Sequence, residues 1–404
     1  MITSISWRNV WRNKLRSGVI MFSIAFGIVA GVFAVALTQG LIEQRISESI
    51  ELETGHVQIH NVQYLEEQET GHFLEGMADI QSQLNALPEV GAATYRTKIT
   101  AMAMSANGNA GIQLIGIDPE EEKTVFGLSE KLTDGAYFEG IKRNPILISQ
   151  RTAEKLKLKL RSKVVLTMQD NDHEIVGGAF RVVGIFKTSN SGYDQGNMFV
   201  RKSDLQRIVK LDEVHEVVIK ATEGYTPEQT KEAIATVIPS TWKEQTWAEI
   251  MPELAYYNES GSLSSLIILG IIFLALAFAI LNTMLMVVLE RVQEIGVLMA
   301  VGMGRLKIFS MIVLETVFLS LVGGVVGLLL SYGLIEYFGK NGIDIENSEG
   351  YESLGFSSVI YPEISPEFYP QVAIAVVIVA IASSIFPAVK ALKLKPNEAI
   401  KGHL

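Results

Sequence analysis

The sequence predicts a polytopic α-helical membrane protein with four transmembrane helices and a large extracytoplasmic α+β domain. Two observations carry this. Of 404 residues, 48% are hydrophobic and the mean hydropathy is +0.27. That is too apolar for an ordinary soluble chain and too polar for a pure bundle of spans. The apolar residues are also concentrated. Four runs reach the ~20 residues that cross a bilayer, and a long segment between the first two alternates like a sheet protein.

The four runs are residues 17–41, 263–289, 308–338 and 369–392. The first follows the basic stretch 1–16 and contains a signal-like Ala34-x-Ala36. It is far longer than the ~7–15 residue apolar core of a signal peptide, so it is expected to be a retained span. Ahead of it, "SWRNVWRNKLR" sets Trp7 and Trp11 one helical turn apart among Arg8, Arg12, Lys14 and Arg16. That pattern fits an interfacial helix on an anionic leaflet.

Lys/Arg placement sets the orientation. Residues 1–16 carry cations and no acid. Segment 290–307 carries Arg291, Arg305 and Lys307, and the tail 393–404 adds Lys393, Lys395 and Lys401. Segment 339–368 carries Lys340 against Asp344, Glu346, Glu349, Glu352, Glu363 and Glu367. The expected arrangement places both termini and 290–307 in the cytoplasm, and 42–262 and 339–368 outside. The net charge of −10 argues against a nucleic-acid partner. The chain has no cysteine, which rules out disulfides, thiolate metal sites and thiol chemistry.

Segment 42–262 contains an internal echo. "GHVQIHN" is strand-like, "GMADIQSQLNALPEV" helical and "AATYRTKITAMAMS" strand-like. Much later "HEVVIKA", "TPEQTKEAIATVI" and "STWKEQTW" repeat the order, with Thr226 as the expected N-cap. Two strand–helix–strand units separated by a strand-rich insert predict one α+β subdomain interrupted by another. The insert reads "GIQLIGID", "NPILIS", "SKVVLTMQD", "GAFRVVGIFKT" and "GNMFV", with a short helix at "SQRTAEKLKL".

Little in the chain reads as catalytic. It has no Walker-type phosphate loop, and its Gly302–Gly304 and Gly323–Gly327 glycines lack the strand–turn–helix context of a dinucleotide fingerprint. His56 and His60 lie four apart with no third metal ligand in pattern, and a polar strand face is the simpler reading. His72, His173 and His215 are scattered. Glu120–Glu122 reads as solvated surface. Glu315 lies alone in the third run near its cytoplasmic end. An intramembrane carboxylate can mark an ion path, but a hydrogen-bonded or snorkelling structural role is the preferred reading. Gly27-x-x-x-Gly31 and Gly323, Gly324 and Gly327 fit close helix approach.

The stretch "ERVQEIGVLMAVGMGRLKIF" (Glu290–Phe309) sits between the second and third runs. It reads as a short amphipathic helix with Ile295, Leu298, Met299 and Val301 on its apolar side. Gly302 and Gly304 turn the chain back toward the next span. Read by itself it is an interfacial loop.

The order of basic "WRNVWRNKLRS", one span, a large external domain, three spans, and "R-x-x-EIG-x-x-x-A-x-G" after the second span resembles the FtsX/MacB-type ABC transporter permeases. "GHVQIHNVQYLEE", "LIGIDPEEE", "FRVVGIFKTSN" and "FPAVKALKLKPNEAI" resemble the lipoprotein-releasing (Lol-type) permease subunits. The resemblance covers essentially the whole chain. It implies that the split α+β subdomain is Porter-like and the insert Sabre-like. It implies a dimer with a second permease copy or paralogue, and two cytoplasmic ATPase subunits. ATP and Mg would then be used by those partners, with no cofactor on this chain and no catalytic residues of its own.

The same resemblance makes Glu290–Arg305 a coupling helix docking on the ATPase. Glu290, Arg291, Glu294, Ile295, Gly296, Leu298, Met299, Gly302 and Arg305 are its candidate residues. The apolar side would be the buried contact, Glu294 or Arg291 a rim anchor, and Gly296 the point of close approach. It places a substrate cavity at the outward halves of spans one and two, where Phe33, Leu37 and Leu41 recur at helical spacing and Leu263, Ile267 and Gly270 lie at the matching depth; lipid-facing or interhelical packing is the alternative for each. The implied task is mechanical extrusion of a lipoprotein from the inner membrane to a periplasmic chaperone. A MacB-like extruder of peptide, toxin or drug, and an FtsX-like scaffold controlling a cell-wall hydrolase, stand beside it.

Overall fold

The structure is a computed structural model and describes residues 2–67, 69–345, 350 and 356–393. The basic tail positions Lys395 and Lys401, the "KPNEAI" end and the acids Glu346, Glu349 and Glu352 lie outside the described residues. The chain divides into a helical unit (Met1–Leu41, Glu259–Ile343, Val359–Leu404) and an α+β unit (Ile42–Asn258, Asp344–Ser358).

Among the described residues, four helices are long and apolar enough to cross a membrane. They are Lys14–Ser49, Pro252–Glu290, Arg305–Asn341 and Phe368–Leu392. The first three extend beyond the apolar runs, and residues Ile42–Ser49 of the first helix belong to the α+β unit. Glycine sets the packing of the first helix against the others. A Cβ on Gly323 would lie 2.8 Å from the carbonyl oxygen of Met21, and one on Gly327 2.9 Å from that of Ala25. Backbone contact between helices one and three therefore requires glycine at both positions. Gly27 and Gly31 receive Leu276 and Ile272 of the second helix. The basic N-terminal segment forms the helix Ile2–Arg12. It buries Ser6 and Val10, and the Ser6 hydroxyl donates to the Met311 carbonyl at 3.2 Å. The Trp7 ring packs edge-on against Phe318, while Trp7 and Trp11 stay largely exposed.

The α+β unit is built on ten strands: β1 (Val57–Asn61), β2 (Val90–Ser105), β3 (Gly108–Ile117), β4 (Leu132–Gly135), β5 (Pro145–Ser149), β6 (Lys163–Gln169), β7 (Ile175–Phe186), β8 (Asn197–Arg201), β9 (Glu216–Ala221) and β10 (Trp242–Thr246). Their order is β10-β1-β9-β2-β3-β8-β5-β7-β4, and β6 pairs with both β2 and β7. The echo in the sequence is real. Strands β1, β2, β9 and β10 with helices Met77–Leu84 and Pro227–Ala235 form one subdomain around Ile59, Leu84, Val217, Ile234 and Trp242. Thr226 caps its helix in a reciprocal capping box with Gln229. The insert, β3 to β8, has its own core of Leu114, Ile146, Leu166, Phe180 and Val200.

One strand serves both subdomains. The first half of β2 pairs with β9 from Val90 to Arg96, and its second half pairs with β3 from Thr97 to Ser105. Arg96 stands at that changeover and is 2% exposed. Its Nη1 donates to Glu216 at 3.2 Å, its Nε donates to Glu122 at 3.2 Å, and its Nη2 makes a second bond to Glu122. The guanidinium lies 4.2 Å from the Phe126 ring centroid. Glu122 corrects the sequence reading of a solvated acidic run. The helix Pro119–Val125 turns Glu120 outward and Glu122 inward, and Glu122 is 1% exposed. A guanidinium buried on a strand face needs carboxylates at fork distance, and the helix supplies one. Glu216 also accepts from Lys98 at 2.9 Å and meets His60 Nε2 at 3.0 Å. Burial opposes its charge, yet Lys98, His60 and Arg96 hold it well below the ordinary carboxylate range.

His56, His60 and His215 are held within the fold. His56 Nδ1 accepts from the Ala221 amide at 3.2 Å, and His60 meets Glu216. His215 is fully buried: its Nδ1 faces the Lys98 amide donor at 3.3 Å, and its Nε2 lies 3.0 Å from the Thr70 carbonyl. Those partners fix a neutral ring. Burial, with Lys98 and His60 adding to it against the pull of Thr70 and Glu216, lowers its pKa from 6.5 to about 4. The unfolded chain therefore binds a proton that the native site refuses. Stability from this group is complete above pH 6.5 and falls as pH drops toward 4, by up to about 1.4 kcal/mol per pH unit. Thermal unfolding of wild type and His215→Gln across that window is expected to show the variant with the shallower acid slope; identical slopes would contradict this assignment.

Candidate coupling site

The second helix ends at Glu290 because Arg291 leaves helical geometry, with φ −102° and ψ 18°. A new helix then runs Val292–Ala300. Its end is a two-bond glycine cap. The Gly302 amide donates to Met299 O at 3.1 Å, and the Met303 amide to Leu298 O at 3.0 Å. Gly302 has φ +95°, where a side chain would be strained. Gly304 then starts the third helix at Arg305.

The apolar side of the short helix is divided, which corrects the surface expected from sequence. Val292, Ile295 and Gly296 are buried within the helical unit, and Met299 and Met303 pack at the edge of the same core. Gly296 is therefore buried inside this chain, and Ile295 and Met299 contribute to its core. Leu298 is half-buried and Arg305 exposed. What faces outward is Val297 at 51%, Val301 at 84% and Leu306 at 81% exposure. Three large apolar side chains within ten residues around one tight turn are thus exposed.

The charges are also engaged within the chain. Arg291 Nη1 donates to both oxygens of Glu315, at 3.0 and 3.1 Å, and its Nε donates to Glu294 at 2.9 Å. Glu294 in turn accepts from Arg12 Nη2 at 2.6 and 2.7 Å. Beside this chain, Arg16 lies 3.2 Å from Glu290. The ion pairs run from the N-terminal helix through the short helix to the third span. The hydrogen bond from Arg12, backed by Arg291, holds the Glu294 carboxyl below its ordinary value against the opposing effect of burial. Glu315 is thus paired rather than alone, in the structural role the sequence favoured.

Residues 17–237 match the family described as MacB-like periplasmic core domain, and residues 266–396 match that described as FtsX-like permease C-terminal. The chain belongs to the FtsX/MacB family of ABC transporter permeases. An uncharacterised ABC transporter permease of Methanocaldococcus jannaschii is 28% identical over 229 residues, covering 55% of each chain. The lipoprotein-releasing system transmembrane protein LolC of Neisseria meningitidis is 25% identical over 323 residues, 74% of this chain and 75% of LolC. The macrolide export ATP-binding/permease protein MacB of Acinetobacter baylyi is 27% identical over 169 residues, 40% of this chain and 26% of MacB. The chain thus spans about half the length of the first of these relatives, 55%.

In this permease the six residues named for a substrate cavity fall into two groups. Phe33 packs against Phe338 of the third helix, with ring centroids 5.8 Å apart, and Leu37 and Leu41 are half-buried. Leu263, Ile267 and Gly270 are exposed on the second helix. The second helix meets the first through Ser265, Leu269, Ile272 and Leu276, a different stripe. Sequence reasoning missed Arg12 as the partner of Glu294, and Val297 and Leu306 as exposed apolar residues. The four cations before the first span were visible; their partner 282 residues away was not.

The two ends of the ion-pair chain differ in burial. Arg12 and Glu294 are about half exposed, whereas Arg291 and Glu315 are 12% and 7% exposed. Exposed pairs contribute ~0–1 kcal/mol, while stranding one member of a buried pair costs ~3–5 kcal/mol. Arg291→Ala is therefore expected to lower the Tm in detergent much more than Arg12→Ala, and Arg291→Met combined with Glu315→Leu to recover most of the loss. Equal effects of the two alanine variants would show that the Glu315 pair is not the dominant one.

Proposed function

We propose that this chain is the membrane subunit of a mechanotransmission ABC complex. ATP hydrolysis on separate cytoplasmic ATPase subunits, two per complex, moves the α+β unit on the outer face of the cytoplasmic membrane. Charge placement supports the orientation: the ends of the chain and 290–307 inside, the α+β unit outside. The observation that carries the reading is the turn between the second and third helices. Its short helix is pinned inward by Ile295, Gly296 and the Arg291–Glu315 pair, leaving Val297, Val301 and Leu306 exposed for an ATPase cleft. A docking element must be stiffly joined to the spans it moves, and these contacts supply that stiffness. ATP and Mg belong to the ATPase in this reading, and a second permease copy or paralogue completes the complex.

The likeness to LolC, which runs along 74% of this chain against 37–55% for the MacB relatives, supports lipoprotein as the substrate. A lipoprotein's acyl chains lie in the outer leaflet and need an apolar surface when drawn upward. The exposed face of the second helix, Leu263, Ile267 and Ile271, offers one beside Gly270. A periplasmic chaperone would receive the cargo. The MacB-like and FtsX-like readings differ in partner: an export adaptor or a cell-wall hydrolase in place of a chaperone.

The purified complex in nanodiscs is expected to hydrolyse ATP faster with a triacylated lipoprotein peptide than with its deacylated form. Ile267→Asp should weaken that stimulation by about tenfold, the equivalent of ~1.4 kcal/mol of apolar contact. Stimulation by a macrolide and not by the acylated peptide would favour the MacB-like reading, and equal response to both peptides would contradict acyl recognition.

A further inference from the structure

Between β7 and β8 the chain makes a loop and a short helix, "KTSNSGYDQG" (Lys187–Gly196), that the coupling function does not use. It is fixed to the insert from within. The Asp194 carboxylate accepts from the Thr188 amide at 3.1 Å and from its hydroxyl at 2.7 Å. The Asp194 carbonyl accepts from the hydroxyls of Ser149, at the end of β5, and Thr152, in the helix that follows. Asn190 caps the short helix, accepting from the Gly192 and Tyr193 amides at 3.0 and 3.1 Å. The Tyr193 ring lies beside Phe199 in β8.

The other side of the loop holds the end of the first helix. That helix finishes in a π-helical turn, Ile50–Thr54, within the α+β unit. Ser189 Oγ donates to the Glu48 carboxylate. Asn190 Nδ2 donates to Glu53 at 2.8 Å, and the same Glu53 oxygen accepts from Arg45 at 2.9 Å. The Tyr193 hydroxyl donates to the Leu52 carbonyl at 2.8 Å. Helix ends leave carbonyls without an intrahelical partner, and wide turns mark places where a helix yields. Three residues within the last two turns of one helix are thus held by polar side chains from a single loop. Apolar packing alone would let the helix slide; directed bonds at Glu48, Leu52 and Glu53 fix both its height and its rotation.

We propose that Ser189, Asn190 and Tyr193 are positioning residues of a joint that delivers displacement of the first helix to the strand-rich insert. This rests on the mechanotransmission reading above and adds where the motion enters the outer unit. The first subdomain takes the same helix through Gly55 and His56 into β1. Pulling on the helix therefore acts on both subdomains, and β2, shared between them, is where they flex.

The chain is free of cysteine, so spin labels can be placed at Asn107→Cys, in the exposed β2–β3 turn of the insert, and Glu232→Cys, exposed on the first subdomain. The distance between them is measured in the full complex with its ATPase, with and without ATP–vanadate. In the otherwise wild-type chain the distance is expected to shift. In Asn190→Ala/Tyr193→Phe the shift is expected to vanish while ATP hydrolysis and the Tm stay close to wild type. Tyr193→Phe alone, which removes one hydroxyl, should reduce the shift and serves if the double variant does not purify. An unchanged shift in these variants overturns the joint alone. No shift in the labelled wild type overturns the joint together with the mechanotransmission reading.

Discussion

A carboxylate inside an apolar helix needs a cation, and in this permease that requirement organises the turn between the second and third spans. Glu315 is drawn to Arg291, the residue at which the second helix breaks. Once Arg291 is committed inward, its remaining donor reaches Glu294 one turn along the short helix, and Glu294 captures Arg12. The rotation of the short helix follows from this. Ile295 and Gly296 are carried into the core, and Val297 and Val301 are left outside. A buried pair of this kind adds little net stability by itself, because desolvation offsets its attraction. It does fix one orientation, since every other rotation of the helix would strand a charge.

The α+β unit uses the same device. Arg96 sits where β2 passes from one subdomain to the other, and it is satisfied by Glu216 from the first subdomain and Glu122 from the helix after β3. Hydrophobic cores specify the two subdomains separately. The charged cluster specifies how they share a strand, so both subdomains depend on one residue that belongs to neither core.

Periodicity made the architecture legible. The four spans, the repeated strand–helix–strand order and the strand-rich insert are all local patterns, and apolar spacing reports local patterns well. Thr226 with Pro227 and Gln229 announced a helix start from adjacent residues alone. What the sequence hid were pairings between distant residues. Glu122 looked solvated because its partner lies 26 residues upstream on another element, and Glu315 looked solitary because Arg291 precedes it by 24. The short helix between the second and third spans was readable, but which of its sides stays exposed was not: alternate apolar residues on a short helix can point either way until the charges choose. Phe33 and Ile267 were matched by depth, and depth carries no information about which face of a helix a residue occupies.

The family's motion is expected to begin where the ATPase touches this chain, so the account stands or falls on Val301. A benzophenone maleimide on Val301→Cys in the assembled complex should crosslink the ATPase on illumination. The same probe on Ile267→Cys, at the opposite end of the second span from Glu290, should not. Capture of the ATPase from position 301 alone is the result the account requires. A complex that hydrolyses ATP while position 301 yields no ATPase adduct would contradict it.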